Sequence, residues 1–485
     1  MRQARQIFKN TAAMTLADLV TRAGSMLLSF LIARMLQASG LGIYSTAMAY
    51  YGLIAIAGSM GAQDFLVREI ARDPDKTNRY VVHASVVGLV VSSSIMAVFF
   101  LILPFLGYSA ELASSTGVVI LAIIPGTLNM IQNAVFVAHQ RVEFVLYTRV
   151  LGTVVNVALS VLLLSRGYGV VSLLVAFVVV EYLVMFCFFF FISRRITPLR
   201  WEFHLSFARK LVWEMRVFAA LSFLSALFAQ PEIIILSLVS SEDEIGYYSA
   251  ANKLVGFWYL VSQMYMANVY PLLSRSYRLA EEKFQILQNQ SIKYLLAISL
   301  PLTAGIVGAA APVIQLFYGP GFEAAILPLQ IMAFNIPLAY VSAVLWRVLA
   351  ARDRQDAVLW VRIITLCTRL GGGLLMARWW GVLGASISVL VSLLLNTLLL
   401  AVHVRRSGIR LRFVGLGWRF ALAAIVMGVL TWAISPQLNL WLLVLIAAVV
   451  YAGLVLLLKG FDADDLALFR QVCRPKEPRR QHGEL

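Results

Sequence analysis

Asp18 and Arg22 stand four residues apart in an otherwise apolar run, which places both on one face of a helix. Such a pair can neutralise itself and hold one helix to its neighbours. It can equally present a guanidinium whose charge the aspartate tunes. Gln230-Pro231-Glu232 interrupts a second apolar run. The proline removes a backbone donor and frees the carbonyl four residues earlier. Glu232 beside that break can take up a proton or a sodium ion, or pair with Lys253 on the following run. Lys253, next to Asn252, can instead extend outward along its own stem. Arg369 and Glu181 lie near the middle of two further runs, and for Glu181 a polar contact between helices is the expectation. Asn129, Gln132 and Asn133 lie on or near one face, as interhelical hydrogen-bonding amides do. The set holds three cations, more than a site for cationic drugs would want. Arg22, Lys253 and Arg369 would stabilise an anionic group such as a diphosphate in a partly dehydrated cavity.

The elements that must position these residues are membrane spans. The chain of 485 residues is 61% hydrophobic and 13% charged. Soluble domains sit near 45–50% and about 25%. Disorder, a coiled coil and a secreted disulfide scaffold are excluded by that balance, and lipid is the expected solvent. Fourteen apolar runs have spanning length. At about 22 residues each they use roughly 310 residues, leaving only short connections. The first runs over 11–34 and the second over 41–63. The seventh covers 216–239, the eighth 245–272, the eleventh 358–378 and the twelfth 381–403. With the N-terminus inside, only Arg34, Arg166 and Arg378 among 40 Lys and Arg fall in outside loops, and only Arg22, Lys253 and Arg369 within spans. This asymmetry follows the positive-inside rule. It accounts for the net charge of +16 by contact with anionic headgroups, so nucleic acid is not an expected partner. At the inner end of the second span, Asp64 and Arg68 form an expected inside gate, or ordinary charge at an interfacial helix end.

The chain resembles itself at a shift of roughly 200 residues. Gly42-Ile43-Tyr44-Ser45-Thr46-Ala47 matches Gly246-Tyr247-Tyr248-Ser249-Ala250-Ala251. Ile124-Pro125 matches Ile336-Pro337, and Arg166-Gly167-Tyr168-Gly169 matches Arg378-Trp379-Trp380-Gly381. Such a duplication over six helices gives two bundles of like orientation, an arrangement that suits rocking around a site between them. The expected fold is therefore an all-α polytopic membrane protein of about fourteen transmembrane helices: two parallel six-helix bundles and two appended helices. Its expected parts are an N-terminal bundle at 1–196, a cytoplasmic linker at 197–215, a C-terminal bundle at 216–405, helices 13 and 14 at 406–460, and a basic cytoplasmic tail at 461–485.

Other chemistry finds little support. There is no Gly-x-x-x-x-Gly-Lys phosphate loop and no spaced histidine pair for a metal. The three cysteines, Cys187, Cys367 and Cys473, suggest no disulfide framework. Asp462-Ala463-Asp464-Asp465 reads as a solvated helix start. No catalytic residue, metal or cofactor is expected. A membrane polymerase or ligase would need a larger outside loop to build its site.

Several motifs carry a family resemblance. They are Lys9-Asn10-Thr11, Leu31-Ile32-Ala33-Arg34-Met35-Leu36, Gly42-Ile43-Tyr44 and Leu66-Val67-Arg68-Glu69-Ile70-Ala71-Arg72. In the second half they are Ile245-Gly246-Tyr247-Tyr248-Ser249-Ala250-Ala251 and Phe317-Tyr318-Gly319. With them the chain resembles the polysaccharide-exporting flippases of the multidrug/oligosaccharidyl-lipid/polysaccharide (MOP) superfamily, from the first span through the twelfth. The resemblance implies movement of a polyprenyl-diphosphate-linked oligosaccharide across a bacterial cytoplasmic membrane by alternating access, with both termini cytoplasmic. It implies a cationic cavity lined by spans 1, 2, 7 and 8, with Arg22 and Lys253 as diphosphate contacts. Asp18, Glu232 and Asn252 would line that cavity or couple it to an ion. Family members often carry an aspartate where this chain has Pro231-Glu232. Membrane lipids, and polysaccharide polymerase and ligase proteins, are the expected neighbours. The near alternatives are an ion-coupled multidrug exporter of the same fold and a lipid II flippase.

Overall fold

The computed structural model of the chain describes residues 2–279, 281–409, 413–435 and 437–461. Beyond Phe461 the expected tail, with the Asp462–Asp465 cluster and Cys473, lies outside the described residues. Every regular element among the described residues is helical. The N-terminal half contains α1 (Arg2–Gly58), α2 (Ala62–Arg72), α3 (Thr77–Ile102), α4 (Ala110–Ile120), α5 (Ile123–Ala138), α6 (Val142–Ser165) and α7 (Val170–Arg195). Then come α8 (Leu205–Leu227), α9 (Pro231–Val239), α10 (Glu242–Leu279), α11 (Glu281–Gly308), α12 (Ala310–Phe317), α13 (Ile326–Ala333), α14 (Asn335–Ala351) and α15 (Gln355–Arg406). The chain closes with α16 (Phe413–Ile434) and α17 (Leu440–Leu457).

Among the described residues, ten helical stretches are long and apolar enough to cross a membrane, and the bent α8–α9 pair makes eleven. Two of the ten supply two crossings each, because α1 breaks at Gln37 and α15 at Gly381. The expected run at 245–272 lies within α10, which is 38 residues long but less apolar than these stretches. Both breaks use left-handed backbone, at φ 61° for Gln37 and 53° for Gly381. Glycine adopts that region freely, whereas a residue with a Cβ pays about 1–2 kcal/mol. Gly381 falls in the expected tight turn.

Proline explains three further breaks. Pro125 and Pro337, paired in the duplication, each lie four residues after a lost helical carbonyl acceptor. The helix is interrupted at Leu121-Ala122 between α4 and α5, and at Phe334 between α13 and α14. In the second case the freed Ala333 carbonyl accepts a hydrogen bond from Thr303 Oγ1 at 3.1 Å. Pro231 begins α9, which is bent 55° from α8.

The helices group into two compact units. One comprises Met1–Phe257, Ile314–Met332 and Arg362–Leu393. One of its cores joins α2, α5 and α7 through Phe65, Leu66, Ile131, Phe136, Met185 and Phe188. The other comprises the described residues of Trp258–Val313, Ala333–Val361 and Leu394–Leu485. There Ala297 of α11 packs with Phe420 and Ala423 of α16 and Val455 of α17. Gly428 lies against Ala304, a small-residue approach of the kind that lets spans pack closely. Large exposed apolar side chains such as Trp379, Trp441 and Leu457 are suited to lipid. The protein is a multi-pass membrane protein.

Candidate functional site

The first unit holds all the singled-out charges. Asp18, Arg22 and Ser25 lie on one face of α1, before its break. Lys253 of α10 donates from Nζ to Ser25 Oγ at 2.6 Å. It therefore reaches across to α1 instead of extending along its own helix. Arg22 is close enough for its charge to act on Lys253. Asp18 does not compensate either cation. Its Oδ1 accepts from Arg149 Nη1 of α6 at 3.0 Å, and no ion pair joins it to Arg22. Among the described residues neither Arg22 nor Lys253 makes an ion pair. Two like charges on facing helices repel in a medium of reduced dielectric, and an anion between them relieves that repulsion. Arg22 remains exposed, as an incoming ligand requires.

Glu232 and Arg369 form a second, different arrangement. Arg369 Nη2 donates to Glu232 Oε2 at 2.8 Å, and Nε donates to Oε1. Nη1 reaches the carbonyl of Phe228, at the end of α8, at 3.4 Å. The guanidinium thus clamps the carboxylate with two parallel bonds and also binds the broken helix end. Glu232 is only 2% exposed. Its partner is Arg369 on α15 and not Lys253, the alternative open in the sequence. The break before it borders a cavity of about 140 Å³ lined by Met48, Gly52, Leu53, Gln230, Pro231 and Leu370, among others.

The remaining expected residues are placed as follows. Asn252 is half-buried beside Lys253. Asp64 is exposed on α2. Arg68 bonds to Glu69 at 2.8 Å and lies over the rings of Phe65 and Phe218, at 5.4 and 5.0 Å. Asp64 and Arg68 are not brought together. Asn129 Nδ2 donates to Glu181 Oε2 at 2.8 Å, the interhelical contact expected of both.

Some contributors were not foreseen. Arg149, the partner of Asp18, stands at the inner end of its apolar run and was counted with the inside basic residues. Contacts between the turns of the two halves were also missed. Ser109 Oγ donates to Glu242, and Tyr108 links Tyr50 to Ser237, the latter at 2.8 Å. Arg34 donates to the Leu316 carbonyl.

Comparison with known proteins adds the family. The family model described as polysaccharide biosynthesis protein matches residues 31–327. That of the lipid II flippase MurJ matches residues 245–452. A curated relative from Haloferax volcanii, the probable low-salt glycan biosynthesis flippase Agl15, is 21% identical over 201 residues, or 41% of this chain. The match spans 43% of that relative, less than half of its length. Among solved structures, lipid II flippase MurJ in an inward closed conformation superposes with a TM-score of 0.74. That match is 13% identical and covers 94% of this chain and 99% of the other. An inward-facing multidrug resistance MATE family transporter of the MOP superfamily gives 0.67 at 15% identity, over 81% and 98%. These structures share the fold: an all-α, many-span bundle. The first match covers more than half the sequence, and the chain belongs to the polysaccharide biosynthesis protein family.

Proposed function

We propose that the protein is a flippase. It translocates a polyprenyl-diphosphate-linked oligosaccharide across the bacterial cytoplasmic membrane for cell-surface polysaccharide biosynthesis, by alternating access. Two six-helix bundles, 1–196 and 216–405, move against each other, with the N- and C-termini cytoplasmic. The observation that carries this reading is the uncompensated pair of cations, Arg22 and Lys253, on facing helices. A diphosphate supplies the missing negative charge. Arg22 would bind it through a planar, forked donor set, and Lys253 as a point charge released from Ser25. Similarity to the lipid II flippase MurJ family and to the probable glycan biosynthesis flippase Agl15 supports this class of substrate. Polysaccharide polymerase and ligase proteins would receive the product.

A multidrug exporter of the same fold would want free carboxylates for cationic drugs. Asp18, Glu181 and Glu232 are each engaged: with Arg149, with Asn129 and with Arg369. That favours the glycolipid. A lipid II flippase would use the same diphosphate chemistry with a different glycan. The test is a leaflet-crossing assay in liposomes, with a labelled polyprenyl-diphosphate oligosaccharide and an impermeant lectin, run beside ethidium efflux. Glycolipid crossing without dye transport is expected; dye transport without glycolipid crossing would move the assignment to the exporter.

A further inference from the structure

The segment joining α7 to α8 is tied back onto the start of α3. Asn78 Nδ2 donates to the Arg200 carbonyl at 3.1 Å, and the Arg200 N–H donates to Asn78 Oδ1 at 3.0 Å. Arg79 Nε lies 3.9 Å from Glu202, and its guanidinium covers the Phe207 ring at 4.3 Å. His83, in the second turn of α3, is fully buried in the same contact. Phe203 stacks on its ring at 5.2 Å, and Phe207 meets it edge to face at 4.7 Å.

Both ring nitrogens of His83 are used, and their partners fix which one carries the proton. The backbone N–H of His204 donates to Nε2 at 2.9 Å, so Nε2 is bare. Nδ1 lies 2.7 Å from the Arg79 carbonyl, which can only accept, so Nδ1 holds the hydrogen. The neutral ring satisfies both partners. A second proton would sit on Nε2 and point at another N–H. The bond to His204 would be lost, and two buried donors would face each other. His204 immediately precedes α8, and its carbonyl accepts from the Ala208 N–H, so the lost bond is the one that anchors the start of α8.

The charged and titratable neighbours of His83 offer no substitute acceptor. On α3 they are Arg79 and Tyr80, and on the linker Glu202 and the His204 ring, stacked at 6.2 Å. On α8, Arg209 is exposed and Lys210 pairs with Glu214 at 3.7 Å. On α2, Asp64 is exposed, and Arg68 and Arg72 both pair with Glu69. Lys76 pairs with Asp73 just before α3, and His139, after α5, bonds to the Val135 carbonyl. The part of α1 beyond its break has no charged residue. Among the described residues none of these accepts from His83 Nε2.

We propose that His83 is a proton-sensitive clasp: with one ring proton it holds the linker and the start of α8 against α3, and with two it releases them. In the proposed orientation the linker lies in the cytoplasm, so cytoplasmic acidification is the signal. Histidine is the side chain whose charge ordinarily changes between pH 5 and 8. The docked linker binds one proton fewer than the released one, so docking strengthens as pH rises and is lost as it falls. The clasp is independent of the Arg22–Lys253 site and of the substrate carried.

The experiment follows hydrogen–deuterium exchange of segment 197–207 in the full-length protein in detergent, from pH 8 to pH 5. Labelling times are scaled to the intrinsic pH dependence of amide exchange. Wild-type protection should fall roughly tenfold over that range, the effect of one buried hydrogen bond lost. His83→Gln keeps an acceptor for the His204 N–H and cannot take up a proton, so its protection should stay at the pH 8 level. His83→Asn is too short to reach that N–H and should be as unprotected at every pH as the wild type at pH 5. The pH dependence should vanish in both variants. A wild type with pH-independent protection, or the wild-type fall retained in either variant, would overturn the clasp.

Discussion

Gly42 and Gly246 occupy equivalent positions in the two halves, and each lies against the backbone of the other's helix. A Cβ on Gly42 would collide with the carbonyl oxygen of Glu242, four residues before Gly246. A Cβ on Gly246 would collide with the carbonyl oxygen of Ala38, four residues before Gly42. The contact is reciprocal, as a duplicated motif related by a two-fold pseudo-axis would make it. Only glycine permits backbones to come this close.

In the proposed orientation these turns face outside, and the contact closes that side. Gly42→Val or Gly246→Val should wedge it apart. A cysteine placed at Ser25 should then react with an impermeant outside thiol reagent roughly tenfold faster, since a latch of a few close contacts contributes on the order of 1–2 kcal/mol. Unchanged labelling in both variants would mean that the contact closes nothing.

Glu232 and Arg369 should behave as a buried ion pair. Removing one partner leaves the other charged and uncompensated, at a cost of about 3–5 kcal/mol. Glu232→Gln or Arg369→Leu should lower the thermal midpoint in detergent by several degrees, and Glu232→Leu with Arg369→Leu should recover much of the loss. Because the carboxylate already holds a fixed cation, replacing sodium by potassium should leave transport unchanged. Sodium-dependent transport lost in Glu232→Gln would contradict this.

Arg149 should matter to a site it does not touch. Arg149→Gln frees Asp18 to neutralise Arg22 and should weaken anion binding roughly ten- to a hundredfold, by the loss of one charge-assisted contact worth about 1.5–3 kcal/mol. Adding Asp18→Asn to Arg149→Gln should restore affinity. A titration of pyrophosphate into the three variants measures both effects.

The spans were legible because apolar runs of bilayer length have few other uses. The break at Pro231 was legible because proline forces it, and the turn before Gly381 because it separates two apolar runs, whereas Pro125 and Pro337 stood out only as a matched pair. The break at Gln37 was not legible, since no local property of glutamine asks for left-handed backbone. The anion pair was visible as depth: Arg22 and Lys253 stood out because a charge in lipid is costly. Pairings were another matter. The i,i+4 spacing pointed Asp18 to Arg22, yet Arg149 on α6 takes it. Proximity along the chain pointed Glu232 to Lys253, yet Arg369, 137 residues further along, takes it. Which partner wins depends on tertiary packing, and a single sequence does not encode it in any short spacing.

The decisive observation is glycolipid crossing by the wild type and by Arg22→Ala with Lys253→Ala in liposomes of equal protein content. The wild type should expose a labelled polyprenyl-diphosphate oligosaccharide to an external lectin. The double variant should insert normally and transport at least about a hundredfold more slowly, each lost charge-assisted contact being worth about a factor of ten or more. Equal rates would show that the two cations do not hold the diphosphate and would contradict the assignment.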